Sequence, residues 1–288
     1  AGMVLAHRAG ATLADLEFLQ FHPSAITGVP GREGFLVTEA IRGEGATLHD
    51  HEGNRFVEEL APRDEVALAI YAKLQHTGAK AVGLDMRHID PTLFPNVVKA
   101  LRDSGLDPQR ELVPVAPAAH YMMGGIVTDL HGRSTVPGLL AVGESACTGL
   151  HGANRLASTS LLECLTSAKF TALADAREIG TMDFRLPNPR PWESPTREAD
   201  PVLVRQDMLQ IQHTMWNYAG VVRSPRRLTR ARRILLELRE EILSFYRGCH
   251  LTRELLELRN AVQTALLIVH AASLNPRSKG CHYVVEEE

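Results

Sequence analysis

The sequence has 288 residues, of which 44% are hydrophobic and 23% are charged, and its formal net charge is −3. These values are typical of a globular chain with about two domains. A small negative charge gives no electrostatic reason to expect nucleic acid or an anionic membrane as a partner. No apolar run approaches the roughly 18 residues that a membrane span needs, so we expect no membrane segment.

The cysteines and the first residues indicate the cellular setting. The four cysteines are widely spaced and form no Cys-x-x-Cys pair: Cys147, Cys164, Cys249 and Cys281. This spacing disfavours a disulfide framework or a structural zinc site, and it is typical of a reducing cytoplasm. The first residues show no secretory signal. Because they read as a helix already under way, we interpret the chain as the later part of a larger protein.

Short strands and helices alternate over the first 180 residues. The patterns predict a helix over 1–13, a strand over 15–22, a strand over 35–37, a hairpin turn with a return strand over 49–56, a helix capped by Asp64, a strand over 81–86 and a helix that stops at Gly105. Two or three strands follow over 120–146, with His120 at the start of the first. A long helix then reaches to about residue 176.

The last third of the chain is helical. Residues 186–200 are rich in proline and charge and predict an exposed linker. Three amphipathic helices follow, the first over about 202–219, the second after the N-cap pair Ser224-Pro225 and the third from near Thr252. Their apolar stripes are typical of a helical bundle, and we assign them no chemistry.

The segment "TGLHGANRLASTSLLECL" (148–165) precedes and opens the long helix. Ser158, Thr159 and Ser160 suit a self-capped helix, but they equally suit an anion at a helix N-terminus, where backbone N–H groups are unpaired and the dipole is positive. His151 and Arg155 add two potential cations just upstream. We therefore favour a negatively charged ligand at this helix end.

Other chemistry-bearing side chains also stand at strand and helix ends. His22 lies before a proline that should stop its strand, and Thr38, Glu39 and Arg42 fall within five residues. Arg63 opens a helix, where the dipole opposes a cation unless an anion is near. Such a set suits a small dicarboxylate, because an arginine fork matches a carboxylate. The "HDHEG" stretch (49–53) predicts a solvated turn rather than a metal site.

Six motifs carry a family resemblance: "LEFLQFHP", "TEAIRGEGA", "ELAPRD", "PAAHYMMGGIVTD", "GLLAVGESACTGLHGANRLASTSLLECL" and "RSKGCHY". Over nearly the whole chain, and in the same order, the sequence resembles the L-aspartate oxidases of the succinate dehydrogenase/fumarate reductase flavoprotein family. The resemblance implies a mixed α/β and α+β fold, in which a partial Rossmann-type FAD-binding domain carries an α+β capping domain and a C-terminal three-helix bundle.

The resemblance also implies boundaries and roles. The end of an N-terminal FAD-domain portion would span 1–15, the capping domain 16–121, the returning FAD-domain segment 122–185, the linker 186–200 and the helical domain 201–288. Arg63, His22, His120 and Glu39 would be catalytic, with Arg63 as the acid/base. The carboxylates of the substrate would be held by His22, Thr38, His120 and Arg155. FAD would be bound by Glu144, Asn154, and the backbone of Ser160 and Leu161.

The implied reaction is the FAD-dependent oxidation of L-aspartate to iminoaspartate for quinolinate and NAD synthesis, with reoxidation by O2 or fumarate. A functional link to quinolinate synthase follows from that product. One alternative is a fumarate reductase or succinate dehydrogenase flavoprotein subunit, which shares "HGANRL". Another is a fragment without catalysis that keeps only packing and assembly surfaces.

A prediction concerns FAD itself. The Gly-x-Gly-x-x-Gly unit that binds the ADP half of a dinucleotide does not occur in the 288 residues. We expect the isolated chain to bind FAD weakly or not at all and to be inactive alone. An absorbance spectrum of the purified chain, recorded after incubation with FAD and desalting, checks this. A stoichiometric flavin spectrum would contradict it.

Overall fold

The structure is a computed structural model, and it describes residues 2–179, 188, 191 and 195–286. The chain forms two compact units: unit 1 comprises Ala1–Leu19 and Met122–Glu288, and unit 2 comprises Gln20–Tyr121. The predicted linker over 186–200 lies outside the described residues except at 188, 191 and 195–200. The five-segment division of the sequence stays a prediction.

The described residues mix both kinds of secondary structure, as predicted. The helices are α1 (Gly2–Arg8), α2 (Ala40–Gly43), α3 (Arg63–Thr77), α4 (Pro95–Arg102), α5 (Ser160–Ile179), α6 (Pro201–Ala219), α7 (Pro225–Gly248) and α8 (Arg253–Leu274). The strands are β1 (Leu13–Ala14), β2 (Leu19–Ile26), β3 (Thr47–His49), β4 (Val82–Asp85), β5 (Val113–Met122), β6 (Gly125–Val127), β7 (Ala146–Cys147), β8 (Val222–Arg223) and β9 (Tyr283–Val284). None of these helices is both long and apolar enough to span a bilayer.

Unit 2 is built on a four-stranded sheet in the order β2-β5-β4-β3, in which β4 runs antiparallel to both β3 and β5. Helices α2, α3 and α4 contribute apolar side chains to one buried cluster with the sheet, including Ile41, Ile70, Leu84, Leu101 and Val113. The strand predicted over 81–86 is confirmed as β4. This core fixes the strand ends and helix starts that carry the candidate residues.

Pro23 does not end its strand, contrary to the sequence prediction. It lies inside β2, which continues to Ile26. Because β2 is the edge strand of its sheet, a proline there can direct its missing N–H away from the ladder. His22 is therefore in the middle of a buried strand, with strand residues before and after it in the chain.

His120 lies near the end of β5, not at the start of a strand. The prolines at 114 and 117 made the earlier residues look unlike a strand, yet their burial alternates along β5 as a pleated strand requires. Asp64 does not cap α3: Pro62 is the N-cap residue, and Asp64 lies in the first turn. There its negative carboxylate stabilises the positive N-terminal end of the helix by charge rather than by a capping hydrogen bond.

Two further predictions were wrong in extent. The helix expected over 1–13 ends at Arg8, and Gly10 follows with a φ of 94° that breaks the helical path. The strand expected over 35–37 is reduced to an isolated antiparallel bridge between Ala25 and Leu36. Turns on both sides of this bridge leave too few residues for a ladder.

Unit 1 contains a three-stranded sheet in the order β1-β6-β7. The paired glycines at the start of β6, Gly124 just before it and Gly125 as its first residue, are needed for close packing of backbone. A Cβ on Gly124 would stand 2.2 Å from the carbonyl carbon of Asp15, and one on Gly125 would stand 2.5 Å from Ser145 O. Both separations are far inside van der Waals contact, so only glycine lets these segments meet.

The three predicted C-terminal helices are confirmed as α6, α7 and α8. Each begins at a residue whose side chain accepts a backbone N–H, as an N-cap should: Asp200, Ser224 and Thr252. Their apolar stripes form one buried cluster that includes Ile211, Leu235, Ile242, Leu258 and Val269. The periodicity therefore predicted both the helices and their packing.

Arg223 joins this bundle to the rest of unit 1. It is fully buried, and its Nη1 donates to Glu17 O at 2.6 Å and to His282 Nδ1 at 2.7 Å. Its Nε donates to Ala219 O and Gly220 O. Burial lowers the pKa of Arg223 to about 10. The charge is held mainly by carbonyl dipoles, so this cation organises the backbone around it.

A prediction concerns Asp207 of α6. Its Oδ2 is buried and has no hydrogen-bond partner among the described residues. Burial and then the charge of Glu241 raise its pKa. An acid whose pKa is higher in the folded than in the unfolded state destabilises the folded protein. The loss of stability develops as the pH rises from the unfolded-state pKa to the folded-state pKa. We expect Asp207→Asn to increase the free energy of unfolding at neutral pH, and the gain to vanish below the usual pKa of aspartate.

Urea unfolding at the two pH values checks this prediction. The exposed Glu237→Gln substitution on α7 is the matched control, since it removes one carboxylate without removing a buried one. An equal gain for both variants, or a gain for Asp207→Asn that persists in acid, would contradict the assignment.

Candidate functional site

Arg63 is the best-organised cation of unit 2. It is 9% exposed and opens α3. Its Nε donates to Glu39 Oε2 at 2.5 Å, and its Nη1 donates to Gln20 Oε1 at 2.9 Å. The helix dipole destabilises a cation at a helix N-terminus, and the negative carboxylate of Glu39 compensates for this unfavourable electrostatic energy. The two contacts fix the guanidinium plane and its direction.

A second arginine, Arg42, stands on the other side of Glu39. It is 2% exposed, its Nη1 donates to Glu59 O, and its Nη2 lies 3.9 Å from Glu39 Oε2. Burial lowers the pKa of Arg42, and Arg63 lowers it further, while Glu39 and Glu59 raise it. A single carboxylate oxygen of Glu39, Oε2, therefore lies within ion-pair distance of two guanidinium groups.

His22 and His120 form an edge-to-face pair. Their ring centroids are 5.2 Å apart with an interplanar angle of 75°, so a side chain of β2 contacts a side chain of β5. Ser24 N donates to His22 Nδ1 at 3.2 Å. Because the backbone can only donate, the neutral His22 ring carries its proton on Nε2.

Thr38 lies directly before Glu39 and is exposed. Its Oγ1 accepts a long bond from Ala40 N at 3.4 Å, at the entry to α2. This leaves the hydroxyl proton able to reach another acceptor. In unit 2 the structure thus joins Arg63 to Glu39 by a hydrogen-bonded ion pair and His22 to His120 by a ring contact, and Thr38 is the chain neighbour of Glu39.

In unit 1, Arg155 lies in the loop that leads into α5. It is 5% exposed, and its Nη1 donates to Ser160 Oγ at 2.9 Å. Ser158, between them, has a φ of 65°, which is uncommon for a residue with a side chain and marks a tightly constrained loop. The loop therefore holds a guanidinium against the first turn of α5.

The same helix turn holds a second polar contact that the sequence did not predict. Glu163 accepts from Thr148 Oγ1 at 2.7 Å through Oε1, and its Oε2 lies 2.7 Å from His151 Nε2. Both side chains of the His151–Glu163 pair are almost fully buried. His151 is thus bound to a carboxylate of the protein, which explains its place without an external anion.

The residues predicted to bind FAD lie around the start of α5 and the turn before β7. The described residues offer a suitable donor set. Ser160 and Leu161 lie at a helix N-terminus, whose first N–H groups have no intrahelical acceptor and suit the electron-rich edge of a flavin. The exposed carboxylate of Glu144 accepts from Met122 N at 3.1 Å and suits ligand hydroxyls. These residues fit FAD.

Asn154 stands beside this helix start, and its Oδ1 accepts from the Cys281 thiol at 3.3 Å. A cleft of about 550 Å³ opens beside it, with walls made of Leu150, His151, Asn154, Leu156, Thr159, Leu162, Glu163, Thr166 and Ser167. The cleft mixes apolar side chains with hydroxyl groups. Its composition suits a flat ring system with polar edges.

The "HDHEG" stretch forms a turn. His49 Nδ1 lies 2.9 Å from Gly53 O, and Asp50 accepts the backbone N–H groups of Glu52 and Asn54. Among the described residues, no group of three histidine, cysteine, aspartate or glutamate side chains is arranged to hold a metal ion.

Sequence reasoning missed Gln20 and Glu163, and it named Arg42 without a role. Gln20 is fully buried in β2, and its partner Arg63 lies 43 positions away in the chain, beyond the reach of local patterns. Glu163 looked like an ordinary helix residue, because its partners lie 12 and 15 positions away in a loop.

Two known protein families match this chain. A family of FAD binding domains matches residues 1–161, and the C-terminal family of fumarate reductase flavoproteins matches residues 208–287. The first match covers more than half of the chain. The chain belongs to the FAD binding domain family. The cofactor predicted from the motifs, FAD, is thereby confirmed.

Curated relatives sharpen the resemblance. The chain is 43% identical to L-aspartate oxidase 1 of Ralstonia nicotianae, covering 98% of this chain and 55% of that protein. It is 45% identical to L-aspartate oxidase of Streptomyces coelicolor, covering 98% and 52%. The chain spans about half the length of the curated relatives that it matches. The predicted resemblance to L-aspartate oxidases is confirmed.

Solved structures support the fold. A quinol fumarate reductase flavoprotein of E. coli superposes with a TM-score of 0.83 at 27% identity, covering 99% of this chain and 56% of that one. The Mycobacterium smegmatis Sdh1 structure gives 0.77 at 28% identity, covering 98% and 52%. The predicted fold class is confirmed by this likeness.

A prediction concerns the shared carboxylate. We expect Glu39→Gln to lower the free energy of unfolding by about 1–3 kcal/mol, because two buried guanidinium groups lose their charged partner. Urea unfolding measures this change. Glu44→Gln, an exposed residue at the end of α2, is the control and should change little. Equal effects of the two substitutions would argue against a shared ion pair.

Proposed function

We propose that this chain belongs to an FAD-dependent enzyme that oxidises L-aspartate to iminoaspartate in the biosynthesis of quinolinate and NAD. One observation carries the proposal: a buried arginine fixed by Glu39 and Gln20 occurs in a chain that is 43–45% identical, over 98% of its length, to proteins named L-aspartate oxidase. The two contacts fix the position and direction of this guanidinium, as a group that acts at one place on a substrate requires.

The family resemblance assigns groups that suit a dicarboxylate. We assign His22, Thr38, His120 and Arg155 to the carboxylates of the substrate. The neutral His22 ring carries a proton on Nε2, Thr38 has a hydroxyl, and Arg155 is fixed through Ser160. Donors that are fixed before binding orient a substrate at a small entropic cost.

We assign the acid/base role to Arg63. Its guanidinium is held by two neighbours, so a proton is taken up or released at one fixed place. Glu39 contacts both Arg63 and Arg42 and fixes the direction of the Arg63 guanidinium. His120 and Glu39 are the remaining proposed catalytic residues, acting on orientation and charge around this group.

FAD would be held by Glu144, Asn154, and the backbone of Ser160 and Leu161. When bound, FAD would supply the hydride acceptor for the Cα hydrogen of L-aspartate, whose amine loses a proton, and O2 or fumarate would be the final electron acceptor. The positive end of α5 favours negative charge on a ligand placed at it, and this is the contribution of the helix to the chemistry.

The main alternative is a fumarate reductase or succinate dehydrogenase flavoprotein subunit. Identity disfavours it, because the chain is 27–28% identical to the solved structures of those enzymes but 43–45% identical to curated L-aspartate oxidases. A fragment that keeps only packing surfaces is the other alternative. We further propose a cytoplasmic location, which the cysteine usage supports, and quinolinate synthase as the consumer of the product.

An assay on the full-length, FAD-loaded protein tests the proposal. We expect L-aspartate to drive formation of hydrogen peroxide and succinate to drive little reduction of a dye acceptor. Arg63→Leu and Arg155→Leu should each reduce kcat/KM for L-aspartate by about a hundredfold or more, since a group that acts in the transition state is lost. Succinate-driven dye reduction without peroxide from L-aspartate would favour the alternative subunit.

The control for these variants is Arg110→Leu. Arg110 is an exposed residue of unit 2 whose ion pair with Asp107 lies at the surface. Activity that survives in both Arg63→Leu and Arg155→Leu would favour a protein in which these residues only pack.

A further inference from the structure

The loop 148–155, which ends at Arg155, is fastened to α5 by one carboxylate. Glu163 binds Thr148 and His151 through its two oxygens, each at 2.7 Å. His151 O in turn accepts from Asn154 N. These bonds close the loop upon itself and leave its last residues directed toward the first turn of α5, where Arg155 meets Ser160.

The C-terminal turn 279–282 fastens the same loop from another direction. Cys281 N donates to Ala153 O at 3.0 Å, and the Cys281 thiol donates to Asn154 Oδ1 at 3.3 Å. The turn itself is closed by bonds in both directions between Lys279 and His282. It therefore contacts the two residues that immediately precede Arg155.

Gly280 makes this approach possible. Its φ is 50°, and a Cβ added there would stand 2.5 Å from Ala153 O and 2.9 Å from both Ala153 C and Ala153 Cβ. A Cβ this close to backbone cannot be accommodated by rotating a side chain. Any larger residue must displace the loop, and Arg155 is two positions from the atom that would be struck.

The turn 279–282 is itself held in place from the helical bundle. His282 is fully buried, its Nδ1 accepts from Arg223 Nη1 at 2.7 Å, and its Nε2 donates to Asn275 O at 2.8 Å. Because Arg223 can only donate, this arrangement requires the neutral Nε2–H ring. Burial lowers the pKa of His282, which favours that neutral form. A path of direct contacts thus runs from the bundle to Arg155.

We propose that Glu163 and Gly280 are positioning residues that set the place of the Arg155 guanidinium, so that the C-terminal helical bundle supports an anion-binding arginine. The inference rests on the proposed function for the role of Arg155. Neither residue needs to touch a ligand. Glu163 fixes the loop from α5, and Gly280 lets the C-terminal turn fix it from the bundle.

Binding of malonate tests the inference without depending on turnover. We expect Gly280→Ala and Glu163→Ala each to raise the malonate Kd of the FAD-loaded holoenzyme about tenfold or more, measured as a perturbation of the flavin absorbance. Glu163→Gln keeps an oxygen and a donor in place and should stay within about threefold of the wild type. Gly248→Ala is the matched control, because a Cβ there meets nothing within 4 Å.

A double-mutant cycle distinguishes positioning from general damage to the fold. In an Arg155→Leu background, Gly280→Ala and Glu163→Ala should raise the malonate Kd no further, since the group that they position is gone. Additive effects in that background, or a malonate Kd within about twofold of the wild type for both single variants, would overturn the inference. Should Gly280→Ala fail to fold, the Glu163→Ala and Glu163→Gln pair decides the question.

The outcome is separable from that of the proposed function. Oxidation of L-aspartate by a wild type whose variants bind malonate normally overturns the positioning inference alone. Malonate binding that follows the expected cycle, in a protein that does not oxidise L-aspartate, overturns the proposed reaction and supports the positioning. A wild type that binds no malonate overturns the inference.

Discussion

The carboxylate of Glu39, placed between the guanidinium groups of Arg42 and Arg63, is the interaction on which the candidate site of unit 2 depends. Two buried cations so close would repel each other strongly in a medium of low dielectric constant. Placing one anion between them turns this repulsion into a fixed geometry. Because Arg63 also opens a helix, the same anion compensates the helix dipole, and α3 can begin at a cation.

In unit 1, buried guanidinium groups are stabilised by different partners. Arg223 is surrounded by carbonyl oxygens and one neutral histidine, whereas Arg155 is bound through a serine hydroxyl. Carbonyl dipoles stabilise a charge without neutralising it, which suits an arginine whose function is to hold backbone in place. The two buried arginines of unit 1 therefore differ in the groups that orient them, since carbonyl oxygens and a histidine contact Arg223 and a serine hydroxyl is among the contacts of Arg155.

The sequence could predict interactions between residues that are close in the chain, but not those between residues that are far apart in it. The caps at Ser224 and Thr252 and the stripes of α6, α7 and α8 are local patterns, and they predicted the bundle correctly. Pro23 was misjudged because only the sheet order shows that β2 is an edge strand. The partners of Arg63 lie 24 and 43 residues away, so no spacing rule could have found Gln20. The motif resemblance supplied roles that local patterns could not.

The first turn of α5 can contact several binding partners at once. Ser160 and Glu163 are three residues apart, so they share a face, and both bind the loop 148–155. That face is occupied by protein. Leu161, Leu162 and Leu165 point elsewhere and are 66–70% exposed. The N–H groups at the helix start lie at the boundary of these two faces, beside Arg155. A cofactor edge and a substrate anion placed there would share one positive helix end, which couples the electrostatics of binding to that of reduction.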